Sequence, residues 1–282
     1  MTSVHALLFG YGHIPVWVSG GNLNTARHSL AGAGIPSAAL NFGGTTTGSS
    51  AVTESYNGTS WSNGGNLATA RGALGGAGTN TDALAIGGSN YNVTEEYNGS
   101  TWSAGGNLSA TVSANTGCGA STSAALSFGG LDGSFVRQTR TEAYNGTSWT
   151  TGGNLSAGKS YPAGCGITTA ALCLGGATNW PPTVFTNVTE VYNGTSWSSG
   201  GNLNTARYAG SGAGTTTAGL SFAGSNGSEL GTTENYNGTS WTTADNMITP
   251  RHVLAGSGTT NTAAIASGGY TGGAVNNTEV YS

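Results

Sequence analysis

The acidic residues are the clearest candidates for a chemical role in this chain, because six of the eleven share one position of an internal repeat. The six each follow a threonine: Glu54, Glu95, Glu142, Glu190, Glu234 and Glu279. A second repeat position holds Arg27, Arg71, Val112, Lys159, Arg207 and Arg251. A ring of carboxylates could bind a metal or serve acid–base catalysis, but a reacting site needs different partners in different roles. Six equivalent copies therefore favour structural ion pairs that brace the junctions between repeats.

Histidines and cysteines add little further potential for catalysis. His28 and His252 each follow the recurring basic residue and could hold a metal together, but no third ligand is evident. Cys118 and Cys165 share a repeat position that the other copies fill with alanine or serine. We predict that they and Cys173 are small buried residues, the alternatives being a disulfide or a reactive thiol. No Ser-His-Asp arrangement is supported either, so we predict no catalytic residue, no metal site and no cofactor.

The repeat that positions these residues is marked by the stretch 56–61, Tyr-Asn-Gly-Thr-Ser-Trp, which recurs almost unchanged. Consecutive repeat tryptophans lie 41 to 48 residues apart, the period of a propeller blade. Short β-biased runs bounded by Gly, Asn, Ser and Thr predict four antiparallel strands per repeat. In the first full repeat the strands are predicted at 28–34, 38–44, 52–56 and from residue 60. The Asn57-Gly58 dipeptide predicts a tight turn whose central residues both take positive φ.

Six repeats predict an all-β fold, a single six-bladed β-propeller of four-stranded blades over residues 14–282. The last blade is predicted to take its three inner strands from residues 252–281 and its outer strand from residues 14–20, so that the two ends close the ring. A recurring Gly-x-Gly, first at Gly32 and Gly34, indicates innermost strands whose backbones converge around an axis. Residues 1–13 are an N-terminal extension, for which we expect a surface cap, an extra edge strand or a segment that docks on a partner chain.

The ends of the predicted second strands carry a family resemblance. A double glycine closes most of them and is followed by a tyrosine and then a tryptophan, as at Gly43, Gly44, Tyr56 and Trp61. This pattern resembles the kelch repeat over residues 14–282, and the resemblance implies the propeller fold. Kelch propellers include copper-radical oxidases, but no recognisable version of their Tyr, His and cysteine-modified Tyr constellation occurs here. The low charge and the abundance of Thr, Ser, Asn and Gly resemble kelch-like propellers of phages and environmental bacteria, which implies a virion-surface, fibre or decoration role.

The connections between the second and third strands differ most among the repeats, and function is common on variable loops held by a rigid scaffold. Two of them, residues 131–140 and 177–185, are longer and hold residue types that are otherwise rare. The candidate ligand-binding residues of this face are Trp180, Phe185, Phe135, Arg137, Tyr91 and Tyr270. Aromatic rings beside polar side chains suit a sugar, and they suit a protein partner equally well. Trp180 and Phe185 could instead merely fold over the propeller.

Charge and hydropathy limit the classes of partner that this chain is expected to bind. With seven basic residues and a net charge of −4, the chain has no basic stripe for a phosphate backbone, so nucleic acid is not expected. No apolar run reaches the roughly 18 residues that a membrane span needs, so membrane insertion is not expected. The start of the chain lacks a secretory signal, which favours another export route or release within a virion.

We therefore expect a non-catalytic binding or structural module, located on a virion or at a cell surface. Its expected partners are a cell-surface glycan or protein, or other virion subunits, and a homo-oligomer within an assembly is compatible with this role. The alternatives are a carbohydrate-active or oxidase-type propeller enzyme and a purely structural assembly subunit.

Overall fold

Short antiparallel strands make up the regular structure of residues 14–179 and 183–282, the part of the chain that the computed structural model describes, and no helix occurs in these two ranges. In chain order the strands are β1 (Trp17–Ser19), β2 (Ala31–Ile35), β3 (Ala38–Phe42), β4 (Thr53–Tyr56), β5 (Trp61–Asn63), β6 (Gly75–Gly78), β7 (Ala83–Ile86), β8 (Thr94–Tyr97), β9 (Trp102–Ala104), β10 (Thr116–Ser121), β11 (Ala124–Phe128), β12 (Thr141–Tyr144), β13 (Trp149–Thr151), β14 (Ala163–Ile167), β15 (Ala170–Leu174), β16 (Ala177–Asn179), β17 (Val184–Phe185), β18 (Thr189–Tyr192), β19 (Trp197–Ser199), β20 (Ser211–Gly214), β21 (Gly219–Phe222), β22 (Thr233–Tyr236), β23 (Trp241–Ala244), β24 (Ala255–Thr260), β25 (Ala263–Ser267) and β26 (Thr278–Tyr281).

These strands form the six blades of a β-propeller, each a four-stranded antiparallel sheet, as the repeat predicts. Blades 1, 2, 3 and 5 are β2–β5, β6–β9, β10–β13 and β20–β23, and blade 4 is β14, β15, β18 and β19 with the hairpin β16–β17 inserted as a separate sheet. Blade 6 takes β24, β25 and β26 from one end of the chain and its outer strand β1 from the other. Trp17 pairs with Tyr281 in this sheet, so the predicted closure of the ring is confirmed.

The turn between the third and fourth strands differs from its prediction. Four residues, 57–60, separate β4 from β5, and only Gly58 takes positive φ, at 92°. The Asn57 side chain contributes instead, because its Oδ1 accepts from the backbone N–H of Thr59 at 3.0 Å and of Ser60 at 2.9 Å. Asparagine is therefore retained in this turn for its side-chain carbonyl and glycine for its backbone.

The repeat tryptophans join each blade to the one before it. In blade 1 the indole Nε1 of Trp61 donates to the Oγ1 of Thr278 in blade 6 at 2.9 Å, and its ring centroid lies 4.9 Å from that of Tyr56. The equivalent donor–acceptor pairs are Trp102–Thr53, Trp149–Thr94, Trp197–Thr141, Trp241–Thr189 and Trp17–Thr233. The tryptophan and threonine that recur in sequence therefore form one hydrogen bond at each of the six blade junctions.

The innermost strands converge as the Gly-x-Gly pattern predicts. A Cβ built on Gly76 in blade 2 would lie 2.8 Å from the carbonyl oxygen of Gly32 in blade 1, and one on Gly117 in blade 3 would lie equally close to the carbonyl of Gly76. Ordinary Cβ contacts are longer than this. Glycine is thus required here because neighbouring backbones approach too closely for any side chain.

Substituting Gly76 with alanine should lower the free energy of unfolding by roughly 1–3 kcal/mol, the usual cost of overpacking a rigid interior. Gly48 supplies a matched control, because a Cβ at this loop position would meet no atom within 4 Å. Chemical denaturation of Gly76→Ala and Gly48→Ala measures both. Equal stabilities of the two variants would contradict the close approach of the inner strands.

A closed ring of backbone hydrogen bonds lies at the channel mouth on the face of the long loops. In each blade, the second residue after the recurring basic position donates its N–H to the carbonyl of its equivalent in the preceding blade, over 2.7–2.9 Å. The members are Ser29, Ala73, Ala114, Tyr161, Ala209 and Val253, and all take φ between 46° and 55°. Non-glycine residues in this conformation are strained, and the cyclic hydrogen bonding offsets the cost. Tyr161 is thereby fixed beside the loops described next.

Candidate functional site

The recurring carboxylates form ion pairs, which confirms the structural prediction. Glu54 Oε1 lies 2.9 Å from Arg27 Nη2, and both side chains are fully buried. Glu54 also accepts from the backbone N–H of Asn24 at 2.7 Å, and the Arg27 N–H donates to the Val275 carbonyl of blade 6. The other pairs of this kind are Arg71–Glu95, Lys159–Glu190, Arg207–Glu234 and Arg251–Glu279. Each pair therefore fixes the link that enters its blade.

In blade 3 the cation of the ion pair comes from a different position of the repeat. Val112 occupies the basic slot, and Arg140, which directly precedes β12, instead places its Nε 2.9 Å from Glu142 Oε1. The Arg140 side chain is 22% exposed, whereas the arginines of the other pairs are nearly inaccessible. This pairing was not predicted from the sequence, although a second arginine in the loop 131–140 was a signal for it.

The three cysteines are buried free thiols, as predicted. Burial raises the pKa of Cys165 to about 12 and that of Cys173 to about 11, and it also raises the pKa of Cys118. A thiol with so high a pKa is not ionised at neutral pH, so these cysteines lack nucleophilic character.

The loop of blade 3 is a rigid hairpin that presents an exposed phenylalanine. Asp132 Oδ1 accepts from the backbone N–H of Ser134 and of Val136, each at 2.9 Å, and Oδ2 accepts from Gln138 Nε2 at 3.0 Å. Phe135 at the tip takes a φ of 61° and is 70% exposed. An exposed aromatic side chain held in a strained conformation is not explained by packing, and such strain is concentrated at functional sites.

Arg137 joins the blade 3 loop to the blade 4 loop. Its Nε donates to the carbonyl of Ala177 at 3.0 Å, and its Nη2 donates to the carbonyl of Asn179 at 2.9 Å, both on β16. The guanidinium therefore holds the two long loops together, a structural role that the sequence prediction of a ligand-binding arginine did not include.

A cleft of about 300 Å³ opens between these loops and blade 5. Its aromatic wall is formed by Phe185, whose ring stacks on that of Tyr208 at a centroid distance of 5.0 Å and an interplanar angle of 14°. Tyr161 meets Tyr208 edge to face at 6.1 Å. The other described residues of the lining are Leu131, Phe135, Arg137, Ser160, Ala177 and Thr183. Aromatic rings beside a few hydroxyl groups are the composition of a small-ligand site.

The structure brings together three of the six predicted site residues: Phe135, Arg137 and Phe185 all line the cleft. Tyr91 is exposed on the loop of blade 2 and Tyr270 lies in blade 6, and neither lines it. Trp180 lies outside the described residues. No protein-family model matches the chain, and no curated protein matches it either.

Tyr161 and Tyr208 also line this cleft, although neither is among the site residues predicted from the sequence. Their signal was positional, because they follow Lys159 and Arg207, the recurring basic residues, by two residues and one. Burial raises the pKa of both phenols. The neighbouring Tyr208 also raises the pKa of Tyr161, and Glu229 also raises the pKa of Tyr208. Both hydroxyls are therefore neutral and able to donate as well as accept hydrogen bonds at physiological pH.

An arc of rings continues from the cleft around the channel mouth. The Tyr208 ring centroid lies 6.1 Å from that of His252, which lies 5.5 Å from Tyr270, which in turn lies 5.4 Å from His28 in blade 1. Burial lowers the pKa of both imidazoles, so both are neutral at pH 7. Glu229 approaches His252 Nδ1 to 3.9 Å from the blade 5 loop.

The described residues were also compared with the requirements of a metal site, a membrane-spanning helix and a second ligand cavity. Among residues 14–179 and 183–282, no group of three or more His, Cys, Asp or Glu side chains is placed to hold a metal ion. The same residues contain no helix long and apolar enough to cross a membrane. A cavity of about 410 Å³ at the opposite channel mouth has walls mainly of glycine and alanine, and no aromatic ring is among its described lining residues.

Proposed function

We propose that this chain is a non-catalytic recognition module, a kelch-like propeller that binds a glycan or protein of a cell surface through the cleft between the loops of blades 3 and 4 and blade 5. The observation that carries the proposal is the convergence of Phe135, Phe185, Tyr161 and Tyr208 on one cleft of about 300 Å³. The blades supply a rigid frame, and Arg137 fixes the two loops, so little conformational entropy is lost when a ligand binds. The engagement of the recurring carboxylates in ion pairs supports a role without catalysis.

The setting we propose is the surface of a phage virion, where the module would serve as a fibre or decoration subunit. The support for this setting is compositional: charged residues are only 6% of the chain, and near-identical turns that contain Asn and Gly recur in five of the six blades. A second candidate, a structural subunit of an assembly, is favoured by the exposed apolar side chains of Phe135, Val136 and Val184 on the same loops. A partner subunit would cover such a patch.

The cleft is tested by comparing Phe185→Ala with the native chain on an array of bacterial and animal surface glycans and in binding to intact bacterial cells. We expect the native chain to bind, and Phe185→Ala to lose roughly tenfold or more in affinity, because a buried aromatic anchor dominates such contacts. Tyr91→Ala is the matched control, since it removes an exposed aromatic ring of the same face outside the cleft.

Equal losses of affinity in the two variants would show that the cleft is not the binding site. If the native chain binds neither glycans nor cells, and electron microscopy of the particle shows the loop face covered by a neighbouring subunit, the structural-subunit function replaces the recognition function.

A further inference from the structure

We infer that the ligand is an extended, uncharged saccharide chain that starts in the cleft and follows the arc of Tyr208, His252, Tyr270 and His28 around the channel mouth. This inference rests on the proposed function and adds to it the class and the length of the ligand. The supporting observation is the continuity of ring contacts across blades 4, 5, 6 and 1, with centroid separations of 5.0–6.1 Å from Phe185 to His28.

The orientation of the rings favours a chain of sugars over a flat ligand. Phe185 and Tyr208 are nearly parallel, at 14°, whereas the His252 and His28 rings lie at 69° and 82° to that of Tyr270. A rigid planar molecule cannot lie against all of these rings at once. Pyranose rings joined by rotatable linkages can change orientation from one ring to the next, and each presents apolar C–H groups to an aromatic ring and hydroxyls to polar neighbours.

The polar groups along the arc suit hydroxyls without charge. The Tyr208 phenol and the two imidazoles are neutral at pH 7 and offer both donors and acceptors. The Arg137 guanidinium, which lines the cleft, already donates to two carbonyls. Along the arc the exposed Glu229 carboxylate lies beside His252, and it would repel an acidic sugar.

A peptide that binds as an additional strand fits this face less well. Such binding needs an open strand edge with free carbonyl and N–H groups. Two short strands lie beside the cleft: β17 has only two residues, and the Ala177 and Asn179 carbonyls of β16 already accept from Arg137. An extended saccharide does not need this edge, because it contacts ring faces and hydroxyls.

The test measures affinity against chain length, using malto-, cello-, chito-, manno- and galacto-oligosaccharides from the monosaccharide to the hexasaccharide, with oligogalacturonate and oligosialic acid as acidic probes. For the native chain we expect at least one neutral series to bind, with affinity that rises a few-fold for each sugar that reaches a further ring and then levels off. His252→Ala should leave the affinity of the shortest binding oligomer unchanged and remove the gain with length. Phe185→Ala should weaken every length.

Tyr91→Ala again serves as the control, and thermal melting verifies that each variant is folded. Length-independent affinity, binding of acidic probes only, no binding in any series, or an unaltered length profile in His252→Ala would overturn the inference. None of these outcomes removes the proposed function by itself, because Phe185-dependent binding of the chain to cells or to another surface ligand would still establish recognition through the cleft.

Discussion

Replacing Arg27 with methionine is expected to lower the free energy of unfolding by roughly 3–5 kcal/mol, the cost of removing one partner from a buried ion pair. Methionine fills most of the space but leaves Glu54 as a fully buried carboxylate without its countercharge. Two carbonyls lose their donor as well, because Arg27 Nη1 donates to Gly43 at 2.8 Å and to Val52 at 2.6 Å. Urea or guanidinium denaturation followed by tryptophan fluorescence measures the loss.

Blade 3 provides the matched control for this prediction. Arg140→Met removes the cation that pairs with Glu142, but the Arg140 side chain is 22% exposed, and the N–H and hydroxyl of Ser109 still donate to the carboxylate, each at 3.0 Å. We expect a loss of about 1 kcal/mol, near the value for partly exposed pairs. Equal losses at Arg27 and Arg140 would mean that burial does not set the strength of the pairs.

A double variant separates the unpaired charge from the lost hydrogen bonds. Glu54→Gln removes the charge, and its remaining carbonyl oxygen can still accept from the Asn24 N–H. Combined with Arg27→Met, it should therefore recover part of the loss, as a double-mutant cycle would show. If the double variant is less stable than the sum of the single variants predicts, the buried charge is not the main cost.

The architecture could be predicted because six copies of one pattern report the same structure. The strands follow from the short β-biased runs between turn residues. The blade count and the closing strand follow from the spacing of the repeats, since a blade cannot bury its two faces without neighbours. The ion pairs also followed from the repeat, because Glu54 and Arg27 recur together. Repetition averages out the errors that affect single elements.

The site could be predicted only in part, because it lies where the repetition ends. The two unusual loops indicated Phe135 and Phe185. They did not indicate that the Arg137 guanidinium would donate its hydrogen bonds to backbone carbonyls of β16. Tyr161 and Tyr208 escaped notice because their place in the cleft depends on the ring of backbone hydrogen bonds at the channel mouth. That ring is a property of the closed propeller and is not encoded in any one repeat.

Deleting residues 277–282 should remove the cooperative folding of the chain, or lower its melting temperature by roughly 10–20 °C or more, which corresponds to a loss of several kcal/mol for a chain of this size. The deletion takes away β26, the strand that joins β1 to β25 in blade 6. It also removes Glu279, the partner of the buried Arg251, and Thr278, which accepts from the Trp61 indole of blade 1. Both junctions of blade 6 are thereby weakened together.

The control for this deletion is the chain without residues 1–13, which keeps every strand of blade 6 and tests the predicted division between the extension and the propeller. Its melting temperature should stay close to that of the full chain, because the β1–β26 pairing begins at Trp17. Trp17→Phe should have a melting temperature between those of the two deletions. It loses the 2.9 Å hydrogen bond to Thr233, but an aromatic ring still packs on Tyr281. A chain without residues 277–282 that melts at the native temperature would show that the propeller does not depend on joining its two ends, whereas the graded order of the three variants would show that this one sheet holds the ring closed.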